Sequence, residues 1–175
     1  MSAFNLPNAL SVSRAVLAPV AFFSILENQW LVASWILLIA LITDLADGEL
    51  ARRWHQTSPL GGLLDHGSDA ILVTAILAGL ALQNHVTPVL PVLVALAFTQ
   101  YTLDSKALLG KPLRASRIGR YNGILYFIVS GFPILQPVFD LYPLTDQQIL
   151  WFSWLLVIST MISMTDRAAA LLLNR

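Results

Sequence analysis

Long apolar runs separated by short polar breaks dominate the chain. Six runs approach the roughly 20 mostly apolar residues that a helix needs to cross a bilayer, at about 8–26, 30–52, 60–82, 88–109, 120–139 and 147–171. The breaks carry residues that interrupt helices. Glu27-Asn28-Gln29 separates the first two runs, Gln83-Asn84-His85 with Pro88 the third and fourth, and Pro137 to Pro143 precedes the last. Pro7 suits a first helical turn, where its missing N–H costs nothing. The pattern predicts an all-α integral membrane protein of six transmembrane helices.

The basic residues orient the bundle. All ten, Arg14, Arg52, Arg53, Lys106, Lys111, Arg114, Arg117, Arg120, Arg167 and Arg175, fall near one set of helix ends. The three alternate loops contain none. The positive-inside rule then places both termini in the cytoplasm, which demands an even number of spans.

Composition agrees with this reading. The 175 residues are 57% hydrophobic and 11% charged, with a mean hydropathy of +0.71, and soluble domains carry about a quarter charged residues. The net charge of zero gives no reason to expect a nucleic-acid partner. With no cysteine there is neither a disulfide framework nor a thiolate metal site. No Lys or Arg precedes the first apolar run, so residues 1–26 read as a retained segment rather than a signal peptide. Without repeats or low-complexity tracts, residues 1–175 read as one domain.

Candidate chemistry lies in four carboxylates. Each Asp at the centre of a span costs about 2.5 to 3.5 kcal/mol on insertion scales, so such residues mark function. Asp44 and Asp47 in the second run are spaced i,i+3, and Asp65 and Asp69 in the third i,i+4, which puts each pair on one helical face. The short loop between predicts antiparallel neighbours with both pairs at one cytosolic level. Four convergent carboxylates need cations, and hard divalent ions such as Mg²⁺ or Mn²⁺ suit oxygen ligands. Gly48, Ala51 and Gly61 leave gaps through which a flat base and a pyrophosphate can approach the backbone. Arg52 can offer phosphate oxygens a bidentate contact.

Written out, the run is Asp44-x-x-Asp47-Gly48-x-x-Ala51-Arg52, eight residues, Gly61-x-x-x-Asp65-x-x-x-Asp69. It resembles the signature of the CDP-alcohol phosphatidyltransferase family. The resemblance implies six transmembrane helices, a homodimer, and an active site at the cytosolic ends of helices 2 and 3, here in a bacterial inner membrane. It also implies transfer of a phosphatidyl group from CDP-diacylglycerol to a small alcohol, with release of CMP. By the same likeness, Asp44, Asp47 and Asp65 are the principal metal ligands, and Asp69 is the general base that also touches metal. Gly48, Ala51, Arg52 and Gly61 line the CDP site.

The acceptor is less defined. Asn5-Leu6-Pro7-Asn8-Ala9-Leu10-Ser11-Val12-Ser13-Arg14 and Ala51-Arg52-Arg53-Trp54-His55-Gln56-Thr57 look like bacterial phosphatidylglycerophosphate synthases, which use glycerol 3-phosphate. A phosphorylated acceptor needs a basic pocket, and Lys111, Arg114, Arg117 and Arg120 form the densest basic cluster. Arg117 and Arg120 are the candidate acceptor-phosphate binders, with Ser116 and Asn122 as neutral partners; the alternative is that the cluster only anchors topology at anionic lipid. The chain departs from those synthases at His66 and Ala70, where they carry Pro and Lys, and at Gln100-Tyr101, where they carry Arg-Glu. Asp65-His66-Gly67-Ser68-Asp69 resembles choline and ethanolamine phosphotransferases instead. Inositol phosphate, serine and phosphatidylglycerol are the other acceptors of this chemistry.

His66 reads as a packed polar residue or a support for a metal ligand, and Asn8 and Arg14 as phosphate contacts or anchors at the start of helix 1. Asp104 with Lys106, and Asp166 with Arg167, read as interfacial snorkelling pairs. A cation transporter is the rival from another class, but transporter sites lie near the midplane. Asp44 follows Trp30 by fourteen residues, roughly 21 Å of helix, so it sits towards one end.

Overall fold

The computed structural model describes residues 6–55, 57–106, 116–140 and 144–173. They form six helices: α1 (Leu6–Leu26), α2 (Trp30–Arg53), α3 (Pro59–Leu82), α4 (Val89–Asp104), α5 (Arg117–Phe139) and α6 (Asp146–Leu173). Each occupies one of the six apolar runs, and there is no strand among the described residues.

Local signals fix the ends. Ser58 caps α3 by accepting the Gly61 N–H at 3.0 Å, with Pro59 at the first helical position. Ser116 caps α5 in the same way through the Gly119 N–H. Thr145 and Gln148 satisfy each other's backbone N–H groups at the start of α6, a reciprocal capping box. Asp140, left-handed at φ 46°, ends α5.

Five helices are long and apolar enough to cross a membrane, and their outward faces carry large apolar side chains such as Val16, Phe23, Leu41, Trp151 and Leu155. The chain is an all-helical membrane protein. The fourth element differs from expectation. Its 16 residues rise about 24 Å, short of a hydrocarbon core about 30 Å thick. The apolar run was expected to stay helical to 109. Instead the polar Asp104, Ser105 and Lys106 close the helix, with Lys106 at φ 54°, and residues 107–109 lie outside the described residues.

The helices pack as a closed ring in the order α1, α2, α5, α6, α4, α3, with α3 also touching α5 across it. The expectation that α2 and α3 pack as direct neighbours is corrected here, because their backbones make almost no contact. α1 lies against both and joins them. Its buried face explains why: Asn8, Ser11, Arg14, Ala18, Ala21 and Ile25 recur every three or four residues and are mostly short, so neighbouring backbones come close. Gly79 completes the crossing of α1 and α3, since a Cβ there would sit 3.2 Å from Ile25 and 3.3 Å from the Phe22 carbonyl oxygen. The apolar core continues from Ile25 through Leu72, Ile76, Leu77 and Leu80 to Leu90 and Ile134, all fully buried.

Candidate active site

The four aspartates meet at one end of the ring, around a cation. Arg14 projects inward from the third turn of α1 with no solvent exposure. Its Nη1 donates to Asp47 Oδ2 at 2.9 Å, and its Nη2 donates to Asp65 Oδ1 and lies 3.7 Å from Asp44 Oδ1. Its Nε stands 2.7 Å from Asp69 Oδ1, at ion-pair distance but without the alignment of a hydrogen bond. Ser11, one turn earlier, donates its hydroxyl to Asp47 Oδ2 at 2.9 Å. Asp47 is therefore the buried member at 4% exposure, whereas Asp44, at 40%, faces outward.

Asp44, Asp47 and Asp65 can each present one oxygen such that all three lie within 4.8 Å of one another. This all-oxygen donor set fits a hard divalent ion. Asp69 falls outside that group and borders the neighbouring cavity. Asp44 and Asp65 therefore belong both to the carboxylate cluster and to the cavity wall, Asp47 to the cluster alone and Asp69 to the wall.

The cavity is about 590 Å³ in volume and bounded by α3, α4, α5 and α6, with Asp44, Asp65 and Asp69 in its wall. Val73, Val94, Phe98 and Phe127 supply apolar walls; Gln100, Tyr101, Arg120, Asn122, Tyr126, Ser163 and Arg167 supply polar ones. Several of these hold one another: Ser159 Oγ donates to Asn122 Oδ1 at 2.6 Å, the Tyr126 and Thr160 hydroxyls are 2.6 Å apart, and Gln100 Nε2 donates to the Met164 carbonyl at 2.9 Å. Asn122 Nδ2 and Gln100 Oε1 are buried without a hydrogen bond of normal geometry, leaving a donor and an acceptor in the cavity wall.

The other expected site residues are distributed unevenly. Gly61 lies where a Cβ would come within 3.1 Å of Asn8 Oδ1, so its bareness lets α3 start against α1. Gly48 has open space beside it, bounded only by the Arg52 guanidinium at 3.5 Å, and Ala51 is half-buried on the same helix. Arg52 itself is exposed and paired with Glu49 at 3.1 Å. Arg117 and Arg120 are both exposed, and of the two only Arg120 lines the cavity. Lys111 and Arg114 lie outside the described residues. His66 contacts Asp65 Oδ2 through Nδ1 at 3.1 Å and stacks on Tyr101.

Two expectations need correction. Arg14 is not an anchor at the membrane surface, since its side chain turns inward to the aspartates. Asp104 and Arg167 do not snorkel outward with their sequence neighbours. They pair with each other across the α4–α6 contact at 3.3 Å, each only 14% exposed, with the Arg167 guanidinium 4.9 Å over the Tyr101 ring. Of the polar lining of the cavity, Ser116, Arg120 and Asn122 were among the expected acceptor groups, whereas the contribution of α6 was missed. Its trace in the sequence is Thr160, Ser163 and Arg167, at i, i+3 and i+7 on one face of an otherwise apolar helix.

The carboxylate cluster, whose oxygens suit a hard divalent ion, thus lies beside a cavity with polar and apolar walls inside a helical membrane bundle. The chain belongs to the CDP-alcohol phosphatidyltransferase family, whose sequence profile matches residues 4–164. It is similar to cardiolipin synthase (CMP-forming) of Rattus norvegicus, at 30% identity over 85% of this chain and 56% of that protein, and to the Homo sapiens counterpart at 29%. It is also similar to CDP-diacylglycerol–glycerol-3-phosphate 3-phosphatidyltransferase of Haemophilus influenzae, at 36% identity over 47% of this chain and 46% of that protein. The chain thus spans about half the length of the curated relatives it matches.

Proposed function

We propose that the protein transfers a phosphatidyl group from CDP-diacylglycerol to a hydroxyl of glycerol 3-phosphate and releases CMP. The observation that carries this reading is the placement of Asp69, which borders the carboxylate cluster through Arg14 and the cavity directly. Asp69 Oδ takes the proton of the acceptor hydroxyl as that oxygen bonds to the diacylglycerol-bearing phosphorus. The bond from that phosphorus to the bridging oxygen breaks, and CMP leaves with the electron pair. Asp44, Asp47 and Asp65, with Asp69 as a further candidate ligand, would hold Mg²⁺ or Mn²⁺, which would supply neutralising charge to the diphosphate.

The remaining residues bind and orient. The open flank of Gly48 and Ala51 admits the cytidine diphosphate, with Gly61 closing the floor and Arg52 free to swing from exposed Glu49 to a phosphate. Arg120 pairs with the acceptor phosphate, and Arg117 on the preceding turn adds to the field at the cavity mouth. Asn122 Nδ2 and Gln100 Oε1 receive the acceptor's hydroxyl groups. The one-sided distribution of basic residues supports a site at the cytoplasmic face, and the family likeness supports a single-domain inner-membrane protein that pairs as a homodimer.

A lipid acceptor, phosphatidylglycerol, is the second reading. It is favoured by the apolar wall of Val73, Val94, Phe98 and Phe127 and by the long match to proteins named cardiolipin synthase. CMP release from CDP-diacylglycerol and Mg²⁺ separates the two: dependence on glycerol 3-phosphate supports the first, and dependence on phosphatidylglycerol replaces it with the second. Release with neither would contradict both. Asn122→Leu is expected to raise the KM for the productive acceptor about tenfold while changing the KM for CDP-diacylglycerol less than twofold, because one lost hydrogen bond to a buried partner is worth about 1–3 kcal/mol.

A further inference from the structure

Among the described residues the most deeply buried charged side chain is Arg14, not an aspartate. Its guanidinium lies within 3.7 Å of a carboxylate oxygen on each of Asp44, Asp47, Asp65 and Asp69. An arginine cannot shed its proton in a protein, so this positive charge is permanent. Three of those carboxylates are the ones whose oxygens converge within 4.8 Å as a divalent-ion donor set. One fixed cation and any incoming divalent ion therefore share the same ligands.

The packing shows what the fixed cation does. α2 and α3 barely touch, and α1 joins them. Arg14 is the side chain through which α1 reaches the carboxylates of both, with Ser11 adding a hydrogen bond to Asp47. Four carboxylates with one guanidinium remain net negative, so the site still attracts a divalent ion. The guanidinium nevertheless lowers that attraction at the closest possible range. A diphosphate arriving beside the cluster restores negative charge and offers Arg14 another partner.

We propose that Arg14 is a resident counter-ion and positioning residue of the metal site. It holds the carboxylates of α2 and α3 together and keeps divalent-ion affinity low until a cytidine diphosphate is bound, so that metal and nucleotide load as a unit. This rests on the transferase reading above. Because linkage is reciprocal, metal must tighten nucleotide binding by the same factor.

The test is a Mn²⁺ titration of the purified protein in lipid nanodiscs, following free Mn²⁺ by electron paramagnetic resonance, with and without CDP as the probe. Wild type is expected to bind Mn²⁺ at least tenfold more tightly with CDP than without. Arg14→Met is expected to bind Mn²⁺ at least tenfold more tightly than wild type when CDP is absent, with CDP adding less than threefold. Arg14→Lys, which keeps the charge, is expected to restore the dependence on CDP. Equal Mn²⁺ affinity in folded Arg14→Met and wild type would overturn the role of Arg14 alone. So would a wild type indifferent to CDP, a result that needs no variant to fold. Failure of wild type to bind Mn²⁺ at all, with or without CDP, would overturn the metal-site reading beneath it.

Discussion

Asp47 is the most deeply held carboxylate of the cluster, because it accepts from both Arg14 and Ser11 in a nearly dry setting. Removing one partner of a buried ion pair costs about 3–5 kcal/mol, since the other charge is left uncompensated. Arg14 keeps three other carboxylates, so Asp47→Asn is expected to cost nearer 2 kcal/mol. The check is the apparent melting temperature in detergent without added metal, which should fall by several degrees; no change would mean Arg14 does not depend on Asp47. At this scale the aspartates were legible because their i,i+3 and i,i+4 spacing in apolar runs has no other cheap cause. Arg14 was not legible. An arginine near a helix end looks the same in sequence whether its side chain bends out to headgroups or in to carboxylates, and only packing decides. Arg167 was misread for the same reason.

Helix existence was readable throughout, because each apolar run must satisfy its own backbone in a bilayer and only a helix does so within one segment. Neighbour relations were less readable. A short loop between α2 and α3 implies adjacency, yet the small-residue face of α1 inserts between them. Gly79 is where that insertion is tightest. Gly79→Leu is expected to destabilise the protein by about 1–3 kcal/mol through overpacking against Ile25 and the Phe22 carbonyl. Gly62→Leu, beside which there is open space, is the control and should unfold close to wild type. Comparable loss in both would mean the α1–α3 crossing is not specially tight. The early end of α4 was hidden because a hydropathy window running past Asp104 is carried by the Ala-Leu-Leu that follows Lys106.

The ring of six helices gathers polar chemistry at one end and leaves an apolar belt outside, and the proposed cytoplasmic position of that end rests on the one-sided basic residues. The chain has no cysteine, so single reporter cysteines can test this without background. A cysteine at His55 should react with an impermeant maleimide only from the cytoplasmic side, and one at His85, in the α3–α4 turn, only from the other. The reverse pattern would invert the topology and move the site to the opposite face.

Asp69 joins every level, as the proposed base that α3 sets into the cavity wall beside the carboxylate cluster. The measurement is CMP release by purified protein in nanodiscs supplied with CDP-diacylglycerol, the productive acceptor and Mg²⁺, comparing wild type with Asp69→Asn. Loss of the positioned base is expected to lower kcat by about 10²–10⁴-fold, with the melting temperature within a few degrees of wild type. A folded Asp69→Asn protein that turns over within tenfold of wild type would contradict the assignment of Asp69 as the base.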